Sequence, residues 1–112
     1  LEGKSFAELL DDPDKPHRDM GFYQYTCASN SGWGKECMGY SVVSILLQRR
    51  YTEWVAFNST SATPNFSNPI AAAEMYDHRL DPGENENVAD APTQQAARRQ
   101  LSTALQANFG RQ

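Results

Sequence analysis

Three strand-like stretches in the middle of the chain are joined by links too short for a parallel crossover, and this restricts the fold more than any other feature. Residues 22–27 are rich in aromatic and β-branched types. Alternation turns Phe22, Gln24 and Thr26 one way and Tyr23, Tyr25 and Cys27 the other. A second strand is expected from about Met38 to Leu47, and a third from Tyr51 to Phe57. Residues 28–36 contain Ser29, Asn30, Ser31, Gly32 and Gly34 and read as a turn-forming loop, while residues 48–50 make a tight connection. A parallel pair needs a crossover of a dozen residues or more, so these strands form an antiparallel meander.

The flanks complete an α+β class. A brief fourth strand is expected at residues 73–77, after a polar loop (58–69) holding Pro64 and Pro69, and residues 81–84 read as a turn. From about Pro92 the pattern becomes helical. Ala97, Leu101, Ala104, Leu105 and Phe109 recur at the spacing of one apolar stripe, Pro92 suits the first turn, and Gly110 suits the stop. Ser5 and Glu8 have capping-box spacing for a short N-terminal helix that puts Phe6, Leu9 and Leu10 on one face. The expected architecture is a four-stranded antiparallel sheet packed against a C-terminal helix, with a short N-terminal helix. The helix covers one sheet face. The other, to which Tyr23, Tyr25, Val43, Ile45, Val55 and Phe57 are assigned, is too apolar to be left to water and implies a partner surface.

Composition narrows the function classes. A chain of 112 residues fits one small domain or part of a larger one. No apolar run approaches the length needed to cross a bilayer, and a net charge of -4 argues against nucleic-acid backbones as partners. The basic pairs Arg49-Arg50 and Arg98-Arg99 read as solvated surface. Cys27 and Cys37 are too few for a zinc site, since His17 and His78 lie in unrelated segments, so no metal or cofactor is expected in this chain. Residues 81–87 are acidic, but Gly83 stands where a calcium-hand loop needs a ligand. Ser31 lacks the preceding glycine of a nucleophile elbow.

Several stretches, taken in order, resemble a known family. Glu2-Gly3-Lys4-Ser5-Phe6-Ala7-Glu8-Leu9-Leu10 resembles the segment at the entry to the C-terminal subdomain of sulfatases. Met38-Gly39-Tyr40-Ser41-Val42-Val43, followed by Arg50-Tyr51-Thr52-Glu53-Trp54-Val55-Ala56-Phe57-Asn58, is similar to a passage of sulfatases of the iduronate-2-sulfatase type. Asn65-Phe66-Ser67 comes next. Ala73-Glu74-Met75-Tyr76-Asp77 and Asp81-Pro82-Gly83-Glu84-Asn85-Glu86-Asn87 then resemble the ending that precedes the final helix in many sulfatases. Order and spacing agree across almost the whole chain. One departure is Val43-Ser44, where the family commonly carries Arg-Thr, so the resemblance carries over neither a contact of that arginine nor the identity of the substrate.

The resemblance implies that residues 1–112 are a sulfatase C-terminal subdomain without the catalytic domain. Its partners would be that upstream domain and a sulfated carbohydrate substrate. The parent would use calcium and formylglycine and be secreted, periplasmic or lysosomal. Neither Cys27-Ala28-Ser29-Asn30-Ser31 nor Cys37-Met38-Gly39-Tyr40-Ser41 fits the formylglycine pattern, so no catalytic residue is expected here. The loop of residues 29–36 would shape the rim of the substrate pocket, with Trp33 stacking on a sugar ring and Lys35 meeting a carboxylate or second sulfate; alternatively Trp33 packs beneath its own loop. Cys27 and Cys37 bracket that loop. They are placed for a disulfide at its base, or remain two free thiols if the register slips by one residue. Tyr40, Tyr51, Trp54 and Tyr76 are assigned to core or domain-interface packing. Two other readings compete: a stand-alone carbohydrate-binding module using the tryptophan loop, and a protein-interaction module docking through its sheet face.

Overall fold

The strand pairings are antiparallel in the computed structural model of the chain, which describes residues 5–15, 19–27, 37–58, 60–66 and 70–110. The elements are a 3-10 turn at Ala7–Leu10, strands β1 (Met20–Thr26), β2 (Cys37–Ser44), β3 (Arg49–Asn58), β4 (Thr63–Asn65) and β5 (Ala72–Asp77), a 3-10 turn at Pro92–Gln94, and helix α1 (Gln95–Phe109). β1, β2 and β3 lie side by side, and the far edge of β3 is shared by β4 and β5. The α+β class, with an antiparallel sheet against a C-terminal helix, is therefore the architecture of the protein.

Register decides what the helix covers. Phe22 lies opposite Val42, Val42 opposite Tyr51, and Tyr51 opposite Met75. This row crosses the sheet on one face. Leu101, Leu105 and Phe109, spaced by four on α1, close over it, and all three are buried together with Met38, Tyr40, Val42, Tyr51, Val55 and Met75. The Phe109 ring meets Tyr40 at 4.6 Å between centroids and Phe22 edge-on at 6.1 Å. Each such leucine contributes about 1.5–3 kcal/mol by leaving water, so the stripe holds the helix down.

The helix ends as its sequence suggests, by a different device. Gly110 is right-handed, with φ -78°, and its N–H bonds the Gln106 carbonyl at 2.8 Å. A Cβ there would stand 2.6 Å from that carbonyl oxygen. Close approach, not a left-handed turn, requires glycine.

The structure departs from the sequence reading at several points. β4 is a fifth, short strand inside the expected polar loop, with Pro64 opposite Phe57. It lies at the sheet edge, where proline is tolerated, and is too short to show alternation. The N-terminal element is a 3-10 turn, not an α-helix. Ser5 accepts from the Ala7 N–H, and Phe6 and Leu10 stay exposed. β2 ends at Ser44, and residues 45–48 make the turn, closed by Gln48 at φ 52°. Ile45 and Leu46 are exposed turn residues. Val55 and Phe57 point to the helix side, where Val55 is buried and Phe57 packs on the core, so the uncovered face is less apolar than expected. The basic pair Arg49-Arg50 is not solvated. Arg49 reaches the buried Asp77 at 3.5 Å and Gln94 at 2.8 Å, while Arg50 pairs with Glu84.

Candidate functional site

The face turned away from α1 carries Tyr23 and Tyr25 from β1, Gly39, Ser41 and Val43 from β2, Arg50, Thr52 and Trp54 from β3, and Glu74 and Tyr76 from β5. At its centre the Ser41 and Thr52 hydroxyls share a hydrogen bond of 2.5 Å across the strands. Both residues are buried between Arg50 and Trp54, which flank Thr52 on the same strand. Trp54 lies directly on Gly39. A Cβ on Gly39 would come within 2.7 Å of the indole ring, so glycine there leaves the space the indole fills. The indole N–H donates to Glu74 at 2.7 Å, and the Tyr76 hydroxyl donates to the other oxygen of that carboxylate at 2.8 Å.

Arg50 is the hub of the polar half. Its Nε and Nη2 grip the two oxygens of Glu84, each at 2.7 Å. Nη1 donates to the Tyr23 hydroxyl at 3.0 Å, and the guanidinium stands 5.0 Å from the Tyr76 ring centre. The His78 Nε2 adds a third contact to Glu84 at 2.8 Å. The Arg50 hydrogen bonds hold the Glu84 carboxyl down to about 2, with His78 helping, and the same bond raises the Arg50 pKa. Glu84 reaches this position from a turn fixed by Asp81, which accepts from the N–H groups of Asn85 and Glu86. The Asn87 side chain then accepts from the Met75 N–H, docking the turn onto β5. Tyr23 and Tyr25 are the open part of the face, at 45% and 72% exposure.

A cavity of about 280 Å³ opens on the other side of β3, between the strand and α1. Its floor is Glu53, which is fully buried. Tyr51 (2.8 Å) and Ser102 (2.5 Å) donate to one carboxylate oxygen, and Gln106 donates to the other at 3.5 Å. Burial first, and the Glu53 charge second, push the Tyr51 phenol well above its ordinary value. Arg98 lines the wall but donates to the Ala89 carbonyl and Asp90. The cavity is a little smaller than the range of about 300–1,000 Å³ typical of ligand pockets, and its buried charges are satisfied within the chain.

Cys27 and Cys37 are joined as a disulfide, with Cα atoms 5.6 Å apart, at the base of the loop that follows β1. Their side chains close that loop where the β1–β2 ladder ends, and the Cys27 N–H bonds the Cys37 carbonyl at 3.5 Å. Trp33 and Lys35, the residues expected to meet substrate, lie outside the described residues. Tyr40 and Tyr51 are core, whereas Trp54 and Tyr76 belong to the uncovered face. Sequence reasoning missed the Arg50–Glu84–His78 cluster. Its members are separated by a strand and a turn, and nothing in local spacing links them. Among the described residues, no group of three or more His, Cys, Asp or Glu side chains is arranged to hold a metal ion. No protein-family model matches the chain, and no curated protein matches it at a significant level.

Proposed function

We propose that the chain is the C-terminal subdomain of a sulfatase resembling the iduronate-2-sulfatase type, packing on an upstream catalytic domain and shaping the rim of a pocket for a sulfated sugar. One observation carries this reading. The stretches that bear the resemblance, far apart in sequence, are physical partners. Gly39 lies beneath Trp54, Trp54 bonds Glu74, Arg50 grips Glu84, and Asn87 receives the Met75 N–H. Residues that hold one another in this way have a common reason to recur as an ordered series.

In this reading sulfate-ester hydrolysis belongs to formylglycine and calcium in the upstream domain, and this chain contributes position and recognition. The Cys27–Cys37 bond ties down the base of the loop bearing Trp33 and Lys35. Trp33 offers a flat apolar face to a sugar ring, and Lys35 a cation to its carboxylate or a second sulfate.

The test is the parent enzyme assayed on sulfated disaccharides. Trp33→Ala should raise KM roughly three- to tenfold with kcat little changed, as expected for losing about 0.7–1.4 kcal/mol of stacking. An unchanged KM, an upstream reading frame without a formylglycine motif, or sulfate-ester hydrolysis by the isolated chain would each reject the proposal.

A further inference from the structure

The β3–β4 hairpin carries a modification sequence that the sheet face and the cavity leave unused. Asn58, the last residue of β3, is followed by a serine and then Thr60, which is the Asn-X-Ser/Thr pattern of N-glycosylation without a central proline. So short a pattern recurs by chance, and its place in the fold decides whether it can serve. Asn58 lies opposite Thr63 where the hairpin closes, with Ala62 in the left-handed region at φ 56°. The Asn58 Oδ1 accepts from the Thr60 N–H at 3.0 Å and from the Ser61 N–H at 3.2 Å. This asparagine turn holds the amide beside the residue that bears the hydroxyl. The two arms of a carboxamide diverge, so an Oδ1 anchored on the turn directs Nδ2 away from it, and Asn58 and Thr60 are both exposed. The second triplet, Asn65-Phe66-Ser67, is held differently. Asn65 has a partner of its own, and Phe66 packs on Tyr40 with ring centroids 5.6 Å apart.

We propose that Asn58 is the acceptor of an N-linked glycan. A second, independent observation points the same way: the Cys27–Cys37 disulfide belongs to an oxidising compartment such as the endoplasmic reticulum lumen, where this modification is made. In the transfer, the Asn58 Nδ2 attacks the anomeric carbon of an oligosaccharide carried on a lipid diphosphate. The C–N bond forms as the bond from that carbon to the phosphate oxygen breaks. The lipid diphosphate leaves with the electron pair, and the Nδ2 proton passes to a base of the transferase. The folded chain has room for the product. By alternation Asn58 falls on the same side of β3 as Arg50, Thr52 and Trp54, about 13 Å beyond Trp54 along the strand. A glycan there keeps this end of the uncovered face in water, so a surface docking on that face stops short of the β3–β4 turn. The proposal does not rest on the sulfatase reading, and its failure would leave that reading standing.

Expression of the 112-residue chain behind a cleavable signal peptide in a eukaryotic cell line tests it, with the glycosylated site mapped by peptide mass spectrometry on the lumenal and secreted chain alike. Wild type should gain a mass that N-glycosidase removes, and most of the Asn58 peptide should carry it. Thr60→Ala keeps the backbone N–H that the Asn58 side chain binds, removes the hydroxyl, and should abolish the Asn58 glycan; Thr60→Ser should retain it. Asn65→Gln should leave occupancy of Asn58 unchanged. The secreted glycoprotein and its deglycosylated form should melt within about 4 °C of each other, as expected for a change confined to the surface. An Asn58 peptide that emerges without glycan overturns the proposal. So does a glycan that survives Thr60→Ala, or a glycosylated chain that melts far below the deglycosylated one.

Discussion

The Arg50–Glu84 clamp makes a prediction with an internal control. Glu84 sits at φ 56°, a left-handed conformation that costs a non-glycine residue about 1–2 kcal/mol. The structure keeps that strain because two 2.7 Å charged hydrogen bonds offset it. Glu84→Gln preserves the backbone and shape while removing the charge. Hydrogen bonds to charged groups contribute about 1.5–3 kcal/mol; partial exposure of both partners trims this, giving a loss of about 1–2 kcal/mol. At this chain length that lowers Tm by about 4–8 °C. The pH dependence follows from the direction of the shift. The folded Glu84 carboxyl titrates at about 2, below its ordinary 4.5, so the clamp's stability is complete above 4.5 and is lost as pH falls through 2. Calorimetric melts of both proteins should therefore show a full Tm gap at neutral pH that closes through this acid window. Asp77, also held low by its Arg79 hydrogen bonds, titrates identically in both proteins and cancels. Glu84→Gly separates strain from clamp. It should melt above Glu84→Ala by roughly 4 °C, because glycine relieves the left-handed cost. A Tm gap that is the same at both ends of the pH range, or an alanine variant as stable as the glycine one, would refute this account.

Gly39→Ala should destabilise the fold by about 1–3 kcal/mol in urea titration, because the new Cβ evicts the Trp54 ring and breaks its bond to Glu74; a loss under about 0.5 kcal/mol would show that the ring is not seated there. Reduction of the Cys27–Cys37 bond should add about 2 Da by intact-mass spectrometry and cost about 2–3 kcal/mol of stability, and two thiols titrating in the unreduced native protein would contradict it.

The meander and the helix stripe were legible in the sequence because both are local: short links force antiparallel pairing, and Leu101, Leu105 and Phe109 repeat every four residues. The faces of the sheet were not legible, and the cause is a single turn. A connection at residues 48–50 puts odd-numbered residues of β2 and β3 on the same side. The actual turn at residues 45–48, closed by Gln48 in the left-handed region, pairs Val42 with Tyr51 instead. Even-numbered β2 residues thus share a face with odd-numbered β3 residues, and Val55 and Phe57 move to the helix side. The apolar run through Val42, Val43, Ile45, Leu46 and Leu47 has no alternation that could have revealed this. The Arg50 cluster was hidden for a related reason, since its carboxylate comes from a turn beyond β5.

This reassignment changes what a partner on the uncovered face must look like. A wholly apolar face would demand an obligate, core-like interface. The observed face has small buried hydroxyls at its centre, an indole and a guanidinium already held by carboxylates, and two open tyrosines toward β1. Such a surface tolerates water and still offers aromatic anchors, as contacts between domains of one chain commonly do. Binding there costs little desolvation of charge, because Arg50, Glu74 and Glu84 keep their partners whether or not the face is covered. Any affinity of this face would come from the tyrosines, so a surface docking there would gain most by reaching Tyr23 and Tyr25, not by covering the polar half of the sheet.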